Sequence, residues 1–228
     1  MQSMSNHLPH NADRLFLTDG GLETWLLFHQ GWDLRHFAAF ELLKTEAGRR
    51  ELTGYYREYL DLAASKGLGF VLESPTWRAN PDWGLRLGYH ASDLTAINCE
   101  AIRFLNHLRA SVSSSGPILI SGCVGPRGDG YDSGEVMTAD EAERYHAQQI
   151  GAFRASHADM ISAITMTNAP EATGIVRAAR NAGIPAVISF TLETDGRLPT
   201  GQPLAEAIAE VDAATNAGPV YYMINCAH

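Results

Sequence analysis

Cysteine is scarce in this sequence. The 228 residues contain three, Cys99, Cys123 and Cys226, which lie far apart in the chain. An odd number at wide spacing excludes the disulfide framework of small secreted proteins. It predicts free thiols in a reducing compartment, and we therefore expect a cytoplasmic protein. The paired CxxC spacing of many structural zinc sites is also absent from the sequence.

Positive charge and long apolar runs are scarce as well. Lys and Arg number 17 against 26 Asp and Glu, which gives a net charge of −9. This balance excludes nonspecific binding to nucleic acid phosphates. No apolar run approaches the length of a membrane span, and the polar start "MQSMSNHLPHN" lacks the apolar centre of a signal peptide. We interpret residues 1–12 as a flexible tail and residues 13–228 as one domain, without nucleic acid or membrane partners.

The chain does contain short apolar runs that alternate with longer helix-like segments. The runs are too continuous for strands with one wet face, and they are typical of parallel strands covered on both sides. The six runs occupy residues 15–19, 69–73, 118–123, 160–165, 186–190 and 221–226.

The five segments between the runs carry the end signals of helices. Ser, Thr and Asn at a first turn predict N-caps, especially when Glu follows three residues later, and glycine predicts a C-terminal end. The predicted N-caps are Thr45, Ser92, Thr138 and Asn168, and the predicted terminating glycines are Gly183 and Gly218.

Strict alternation of strands and helices predicts a parallel α/β protein, either a barrel or a doubly wound sheet. "DGGLET" follows the first strand in place of the GxGxxG of dinucleotide-binding sheets. Unusual residues also follow the strands, whose carboxyl ends share one face in a barrel. We therefore predict a (β/α)8 TIM-type barrel. Because that fold has eight strands and the sequence offers six, we expect the first six βα units of a barrel that is truncated at its C-terminus.

Two strand ends carry residues suited to binding a small molecule. Asp19, before Gly20 and Gly21, could hold an amino group while the glycines admit a ligand close to the backbone; the alternative is an aspartate that caps a turn. The second strand ends in "ESPTWRAN", where Thr76 and Trp77 could wall a pocket. Trp77 could also stack on a cationic onium centre. The alternative there is a tryptophan packed under a loop and an ion pair between the Glu73 and Arg78 of this motif.

Cys226 follows the last apolar run, where a barrel strand would direct it toward the mouth of a site. It could be a zinc ligand or a nucleophile, and the alternative is a buried thiol. His228, two residues later, could reach the same face. Cys123 lies in the glycine-rich stretch "GCVGPRGDGYDSG", which matches no phosphate-binding motif, and we interpret it as a small buried residue.

Five stretches together resemble the homocysteine S-methyltransferase family, which includes betaine- and S-methylmethionine-dependent enzymes. They are "LTDGGLET", "SPTWRAN", "GCVGPRGDGY", "DGRLPTGQPLAEAI" and "MINCAH". The resemblance implies a (β/α)8 barrel with zinc held by three cysteines. Cys226, after Asn225, matches the first of these ligands, and the adjacent pair that supplies the others is absent from this sequence. Asp19 matches the residue that holds the amino group of homocysteine.

One position departs from the family pattern. Ile164 stands where relatives usually carry a glutamate that contributes to homocysteine binding. Glu193, just after the fifth strand, is the predicted replacement, and the alternative is a solvated loop acid.

The sequence thus predicts a zinc-dependent methyltransferase of methionine biosynthesis. It would move a methyl group from an onium-type donor to the thiol of homocysteine or to a related thiol or selenol, with monomers and homo-oligomers both open. Cys226 is the predicted catalytic residue and zinc ligand. The predicted substrate-binding residues are Asp19, Gly20, Gly21, Thr76, Trp77, Glu193 and Asn225. The alternatives are a barrel that has lost catalysis and serves as a binding or scaffold protein, and an unrelated barrel enzyme that uses Glu73 and Glu193 as acid and base.

Overall fold

The computed structural model describes residue 8, residues 14–113 and residues 116–227. The tail predicted for residues 1–12 lies, apart from Leu8, outside the described residues, and so does His228. Within the described ranges, no helix has both the length and the apolar content that a membrane crossing requires.

All six apolar runs form strands, which confirms the prediction. The strands form one parallel sheet in the order of the sequence. The first and last strands have three residues each, and in the described chain each pairs with a neighbour on one side only. The strands are β1 (Phe16–Thr18), β2 (Gly69–Glu73), β3 (Ile118–Val124), β4 (Met160–Met166), β5 (Ala186–Phe190) and β6 (Tyr222–Ile224).

A long helix fills each of the five predicted intervals, and two short helices of seven residues each add to them. Short 3-10 turns at Arg35–Phe37 and Ala39–Lys44 precede the second helix. The helices are α1 (Leu22–Phe28), α2 (Glu46–Lys66), α3 (Pro81–Leu87), α4 (Ala91–Ala110), α5 (Ala139–Ala155), α6 (Ala169–Ala182) and α7 (Leu204–Thr215).

Three of the four predicted N-caps are confirmed by side-chain hydrogen bonds. The Thr45 hydroxyl accepts from the Gly48 amide at 3.0 Å, and the Asn168 side chain accepts from the Glu171 amide at 2.8 Å. Thr138 and Glu141 form the reciprocal capping box. These bonds satisfy amide groups that the first turn of a helix leaves without partners.

Two predicted helix ends are wrong. Ser92 lies inside α4, whose N-cap is His90; the His90 amide donates to the Asp93 carboxylate at 2.8 Å and so fixes the earlier start. Gly218 does not end α7, which ends two residues earlier at Asn216 with a left-handed φ of 56°. Asparagine tolerates this conformation better than most residues do. Gly183 ends α6 with a φ of 72°, as predicted.

The two faces of the sheet are covered differently, and this difference identifies a barrel. One face packs against the helices in the main core, to which Leu72, Ile120 and Ile188 belong. The other face carries a separate apolar cluster built on Val71, Leu119, Met160 and Val187, and no described helix contributes to it. A doubly wound sheet would have helices on both faces. The described chain therefore folds as five βα units and a sixth strand of a TIM-type barrel.

Two glycines of α2 predict opposite effects of alanine. A Cβ on Gly48 would collide with the backbone of Leu42, while nothing lies within 4 Å of the corresponding position on Gly54. We expect Gly48→Ala to lower the free energy of unfolding by roughly 1–3 kcal/mol, as overpacking does. Gly54→Ala should raise it by about 0.5–1 kcal/mol, because alanine favours a helix. Urea unfolding followed by circular dichroism measures both, and equal effects would contradict the close packing at Gly48.

Candidate active site

A cavity of about 570 Å³ opens at the carboxyl ends of the six strands. Every strand, or the residue that follows it, contributes to the lining. In strand order, representative lining residues are Asp19, Glu73, Cys123, Thr165, Ser189 and Asn225. This is the end of a TIM-type barrel at which active sites form, because the strand ends and the loops after them converge there.

Six of the eight predicted site residues line this cavity, namely Asp19, Gly20, Gly21, Trp77, Asn225 and Cys226. Thr76 lies behind the wall and is fully buried. Its hydroxyl donates to the Cys123 carbonyl oxygen at 2.8 Å and lies 2.6 Å from the Ser74 hydroxyl. Thr76 therefore joins β2 to β3 and supports the lining residue Ser74 instead of meeting a ligand.

Glu193, the predicted replacement for the missing glutamate, does not line the cavity. It is exposed and lies in the loop after β5, outside the cavity lining. Its amide donates to the Arg197 carbonyl oxygen at 2.8 Å, and its own carbonyl accepts from the Gly196 amide at 2.9 Å. These two bonds close a tight turn that leads the chain away from the strand end.

Four carboxyl groups line the cavity, from Asp19, Glu23, Glu73 and Asp129, and the first three form no salt bridge within the described residues. Glu23 was not anticipated from the sequence, although it sits in the first turn of the helix that begins just after Gly21. Burial raises the pKa of Glu23 and of Glu73 to about 7. Burial raises the pKa of Asp19 well above its ordinary value, and the nearby Glu73 raises it further. Low polarity and like charge both favour the neutral acids.

Arg78 is the buried cation on this wall. Its guanidinium lies 3.9 Å from the ring centre of Trp77 and 3.8 Å from that of Trp83. One terminal nitrogen donates to the Gly128 carbonyl oxygen at 3.0 Å, and the other lies 3.7 Å from the Asp129 carboxylate. Burial lowers the pKa of Arg78 to about 10. The ion pair of Arg78 is thus with Asp129, and the alternative pairing with Glu73 does not form.

Trp77 is fixed by its neighbours more tightly than the sequence suggests. Its indole N–H donates to the Ile164 carbonyl oxygen at 3.1 Å. Gly125 and Gly130 of the loop after β3 approach it so closely that a Cβ at either position would crowd the ring. Because the Arg78 guanidinium occupies one ring face, the cation that stacks on Trp77 in this structure comes from the chain itself.

Asn225 ties together the ends of three strands. Its side-chain oxygen accepts from the Thr165 amide at 2.9 Å and from the Ser189 hydroxyl at 2.7 Å. Its side-chain nitrogen donates to the Thr165 hydroxyl at 2.8 Å and lies 3.4 Å from the Cys226 sulfur. Thr165 has a φ of 65° at an irregularity in the pairing of β4 with β5. Such a conformation is strained for a β-branched residue and persists only when its surroundings hold it.

The three thiols occupy different environments. Cys226 is exposed, Cys99 is partly buried and Cys123 is buried at the cavity wall. Burial raises the pKa of the Cys123 thiol well above its usual range. A hydrogen bond with Cys226 raises the pKa of the exposed Tyr131 to about 12. The interpretation of Cys123 as a small buried residue is confirmed, and the buried-thiol alternative for Cys226 is wrong.

The described residues do not form a zinc site by themselves. In residues 14–113 and 116–227, no three His, Cys, Asp or Glu side chains are arranged to hold a metal ion. Structural and catalytic zinc sites use three or four protein ligands. Cys226 offers one thiol at the rim of the cavity, so these residues alone do not fit the zinc centre that the family resemblance implies.

A family model and solved structures that match this chain both point to homocysteine methyltransferases. The family model described as homocysteine S-methyltransferase matches residues 16–228. Two solved structures of the homocysteine methyltransferase MmuM from Escherichia coli, the metallated and the oxidized forms, are 20% identical to the chain with a TM-score of 0.74. The matches cover 98% of this chain and 78% and 77% of those chains. This structural likeness supports the barrel fold. No curated protein matches the chain.

The exposure of the thiols predicts their order of reaction. We expect Cys226 to react first with an aromatic disulfide reagent under native, metal-free conditions, because it alone among the three cysteines is exposed. Cys226→Ser should remove the fast phase, and Cys99→Ser should leave it in place. Stopped-flow absorbance measures the phases. A fast phase that survives Cys226→Ser would contradict the placement of this residue at the rim.

The buried acids predict a stability that falls as the pH rises. The pKa values of Glu23 and Glu73 are about 7 in the folded protein and near 4.3 in an unfolded chain. Between these values the folded state binds more protons, so stability is lost from about pH 4.5 to pH 7. Glu23→Gln and Glu73→Gln should each become more stable relative to the wild type across this window, by roughly 1–3 kcal/mol.

Urea unfolding at pH 5 and pH 8 measures this difference, with the exposed Glu193→Gln as the matched control. A relative stability of Glu73→Gln that does not change between the two pH values would show that Glu73 is not desolvated.

Proposed function

The chain belongs to the homocysteine S-methyltransferase family and is a methyltransferase, and we propose that it moves a methyl group from an onium-type donor to the thiol of homocysteine or a related thiol or selenol. The observation that carries the proposal is the cavity at the strand ends. It brings together the Asp19-Gly20-Gly21 stretch and the Asn225-Cys226 pair, which lie at opposite ends of the sequence.

The cavity has the size and chemistry for a small amino acid. Its volume of about 570 Å³ lies in the range of pockets that bind small molecules. Asp19 lines the cavity, and we assign its carboxyl group to the amino group of the acceptor, as the family resemblance implies. The Gly20 and Gly21 backbone also lines the cavity, and a Cβ on Gly20 would crowd the Tyr59 hydroxyl at 2.8 Å.

The reaction would be a displacement at the methyl carbon. The sulfur of the acceptor forms the new bond to carbon as the bond between the methyl group and the donor breaks, and the donor leaves with the bonding electron pair. The acceptor loses its thiol proton, because the thiolate is the effective nucleophile. The chain must therefore position a thiol and a donor in line and keep water out of the cavity.

Cys226 and Asn225 would form the side of the site that holds the acceptor sulfur. Asn225 fixes the backbone beside Cys226 through its bonds to Thr165 and Ser189, so the thiol has a defined place at the rim. The hydrogen bond from Tyr131 adds a contact from the loop after β3. Trp77 would wall the donor side as a rigid apolar surface, since its ring is held on several sides.

Zinc is the cofactor that the family resemblance implies. When bound, zinc would favour the thiolate form of the acceptor and hold it in place. The described residues supply Cys226 as one ligand without a second or third, and we derive no step through the metal. Zinc binding is therefore a prediction for measurement on the whole protein.

A second candidate function is that of a binding protein that has lost methyl transfer. The lack of a three-ligand group among the described residues favours it. So does Ile164, an apolar residue in the cavity lining at the position where relatives usually carry an acid. Such a protein would bind the thiol without turnover.

The proposal predicts methionine formation from L-homocysteine with S-methylmethionine or betaine as the donor. Cys226→Ser should lower kcat/KM on the order of 100-fold, the scale of a lost positioning contact in a catalytic site. Cys99→Ser, which changes a thiol outside the cavity, should leave it unchanged. Mass spectrometry of the product measures the rates.

Zinc content, measured on the same preparations by plasma mass spectrometry, should fall in Cys226→Ser and stay constant in Cys99→Ser. Activity that survives both chelation and Cys226→Ser would overturn the proposed mechanism. Tight binding of homocysteine without turnover would favour the binding-protein function.

A further inference from the structure

Glu73 lines the cavity with a carboxyl group that Ser121 and Ser162 satisfy only in part. The residue ends β2 and lines the cavity wall. Its Oε2 atom is shielded from solvent and has no hydrogen-bond partner among the described residues. A buried carboxylate oxygen usually accepts at least one hydrogen bond, because burial removes the water that would otherwise donate to it. A ligand with an N–H or O–H group could therefore supply the hydrogen bond that this oxygen lacks.

The surroundings of Glu73 are acidic. Burial raises the pKa of Asp19, and the nearby carboxyl group of Glu73 raises it further. Glu23 is a third acid in the same lining. In the described part of the chain, no lysine or arginine forms a salt bridge with any of these three acids. Arg78 acts on Glu23 by lowering its pKa, but it forms its salt bridge with Asp129.

A second group on the same wall is also left without a partner. The Arg78 side chain is 4% exposed, and its Nε donor has no hydrogen-bond acceptor among the described residues. Arg78 lines the same cavity as Glu73. A carboxyl group with one unsatisfied buried oxygen and a guanidinium group with one unsatisfied buried N–H thus line the same cavity. This combination points to a ligand that carries both an ammonium group and a carboxylate.

We propose that Glu73, beside Asp19, binds the ammonium group of the acceptor and so makes the enzyme specific for an amino acid thiol over a simple thiol. This inference rests on the proposed function and names the residue that selects its acceptor. A primary ammonium group has three N–H donors and can serve Glu73 and Asp19 together. It also brings a positive charge into direct contact with acids that form no salt bridge within the described residues.

A betaine-type donor is a poorer match for this position. Its trimethylammonium centre has no N–H and would leave the Oε2 atom of Glu73 without a hydrogen bond, whereas homocysteine carries the α-ammonium group that this position requires. Such centres are recognised by open aromatic faces, whereas one face of Trp77 is covered by Arg78 at 3.9 Å. The geometry therefore assigns the acidic wall to the ammonium group of an amino acid and not to a trimethylammonium centre.

The test compares two thiols that differ only in the amino group. Dissociation constants for L-homocysteine and for 4-mercaptobutanoate, which lacks that group, are measured by isothermal titration calorimetry on the full chain. The variants are Glu73→Gln and, as a matched control outside the cavity, Glu193→Gln. We expect Glu73→Gln to weaken homocysteine binding roughly 10- to 100-fold, the scale of a lost charged hydrogen bond. It should leave 4-mercaptobutanoate binding unchanged, and Glu193→Gln should change neither.

Equal weakening of both thiols by Glu73→Gln, or no change in either, would overturn the inference, and so would a wild type without preference for homocysteine. The proposed function has a separate readout in methionine formation. Selective, Glu73-dependent binding without turnover would remove the methyltransferase mechanism and leave the inference standing. Turnover that Glu73→Gln does not change would support the methyltransferase mechanism and overturn the inference.

A measurement on the wild type alone covers the case in which Glu73→Gln does not fold. An ammonium group that enters beside Glu73 favours its ionised form, so homocysteine binding near pH 6.5 should release a proton from the protein. Titrations in two buffers of different ionisation enthalpy measure that release. 4-Mercaptobutanoate carries the same thiol and should release less. Equal proton release with both ligands would count against the inference.

Discussion

The parallel pairing of the six strands in the order of the sequence is the constraint on which the site depends. Parallel strands joined by helices all end at the same edge, so side chains from distant parts of the chain meet there without a dedicated binding domain. Asp19 and Cys226 reach one cavity for this reason, although 206 residues separate them. The apolar cluster around Val71 and Met160 covers another part of the sheet's inner face, and Met223 belongs both to this cluster and to the cavity lining.

The polar groups at this edge divide into those that the chain satisfies and those that it does not. Asn225 is satisfied through Thr165 and Ser189, and it holds β4, β5 and β6 in one arrangement despite the strained φ of Thr165. Glu73 and Arg78 each keep one buried atom without a partner. A buried polar group without a partner costs free energy in the empty protein. A ligand that supplies the missing partner gains that free energy on binding, which makes these groups effective determinants of specificity.

The loop after β3 links the rigid sheet to the open side of the cavity. Gly125 and Gly130 let it approach Trp77, and its Gly128 carbonyl and Asp129 carboxylate hold Arg78 between two tryptophan rings. At its start, the Arg127 amide donates to Glu171, which also bonds to the buried His146. The loop is thus fixed to α5 and α6 on one side and to the cavity wall on the other. Tyr131 reaches Cys226 from this fixed base.

Apolar periodicity and capping signals determined the strands, the long helices and the barrel class, because these depend on local sequence and on which face is apolar. The short motifs around Asp19, Trp77 and Cys226 also indicated cavity residues, since strand ends converge in any parallel barrel. Only the tertiary structure decided which acids face the cavity. Glu23 lines the cavity because a short helix begins just after Gly21, and a hydrogen-bonded turn keeps Glu193 outside it. Arg78 pairs with Asp129, and one oxygen of Glu73 is left without a partner. Position along the chain places a residue near an edge, but the direction of its side chain and its partner are set by contacts between distant segments.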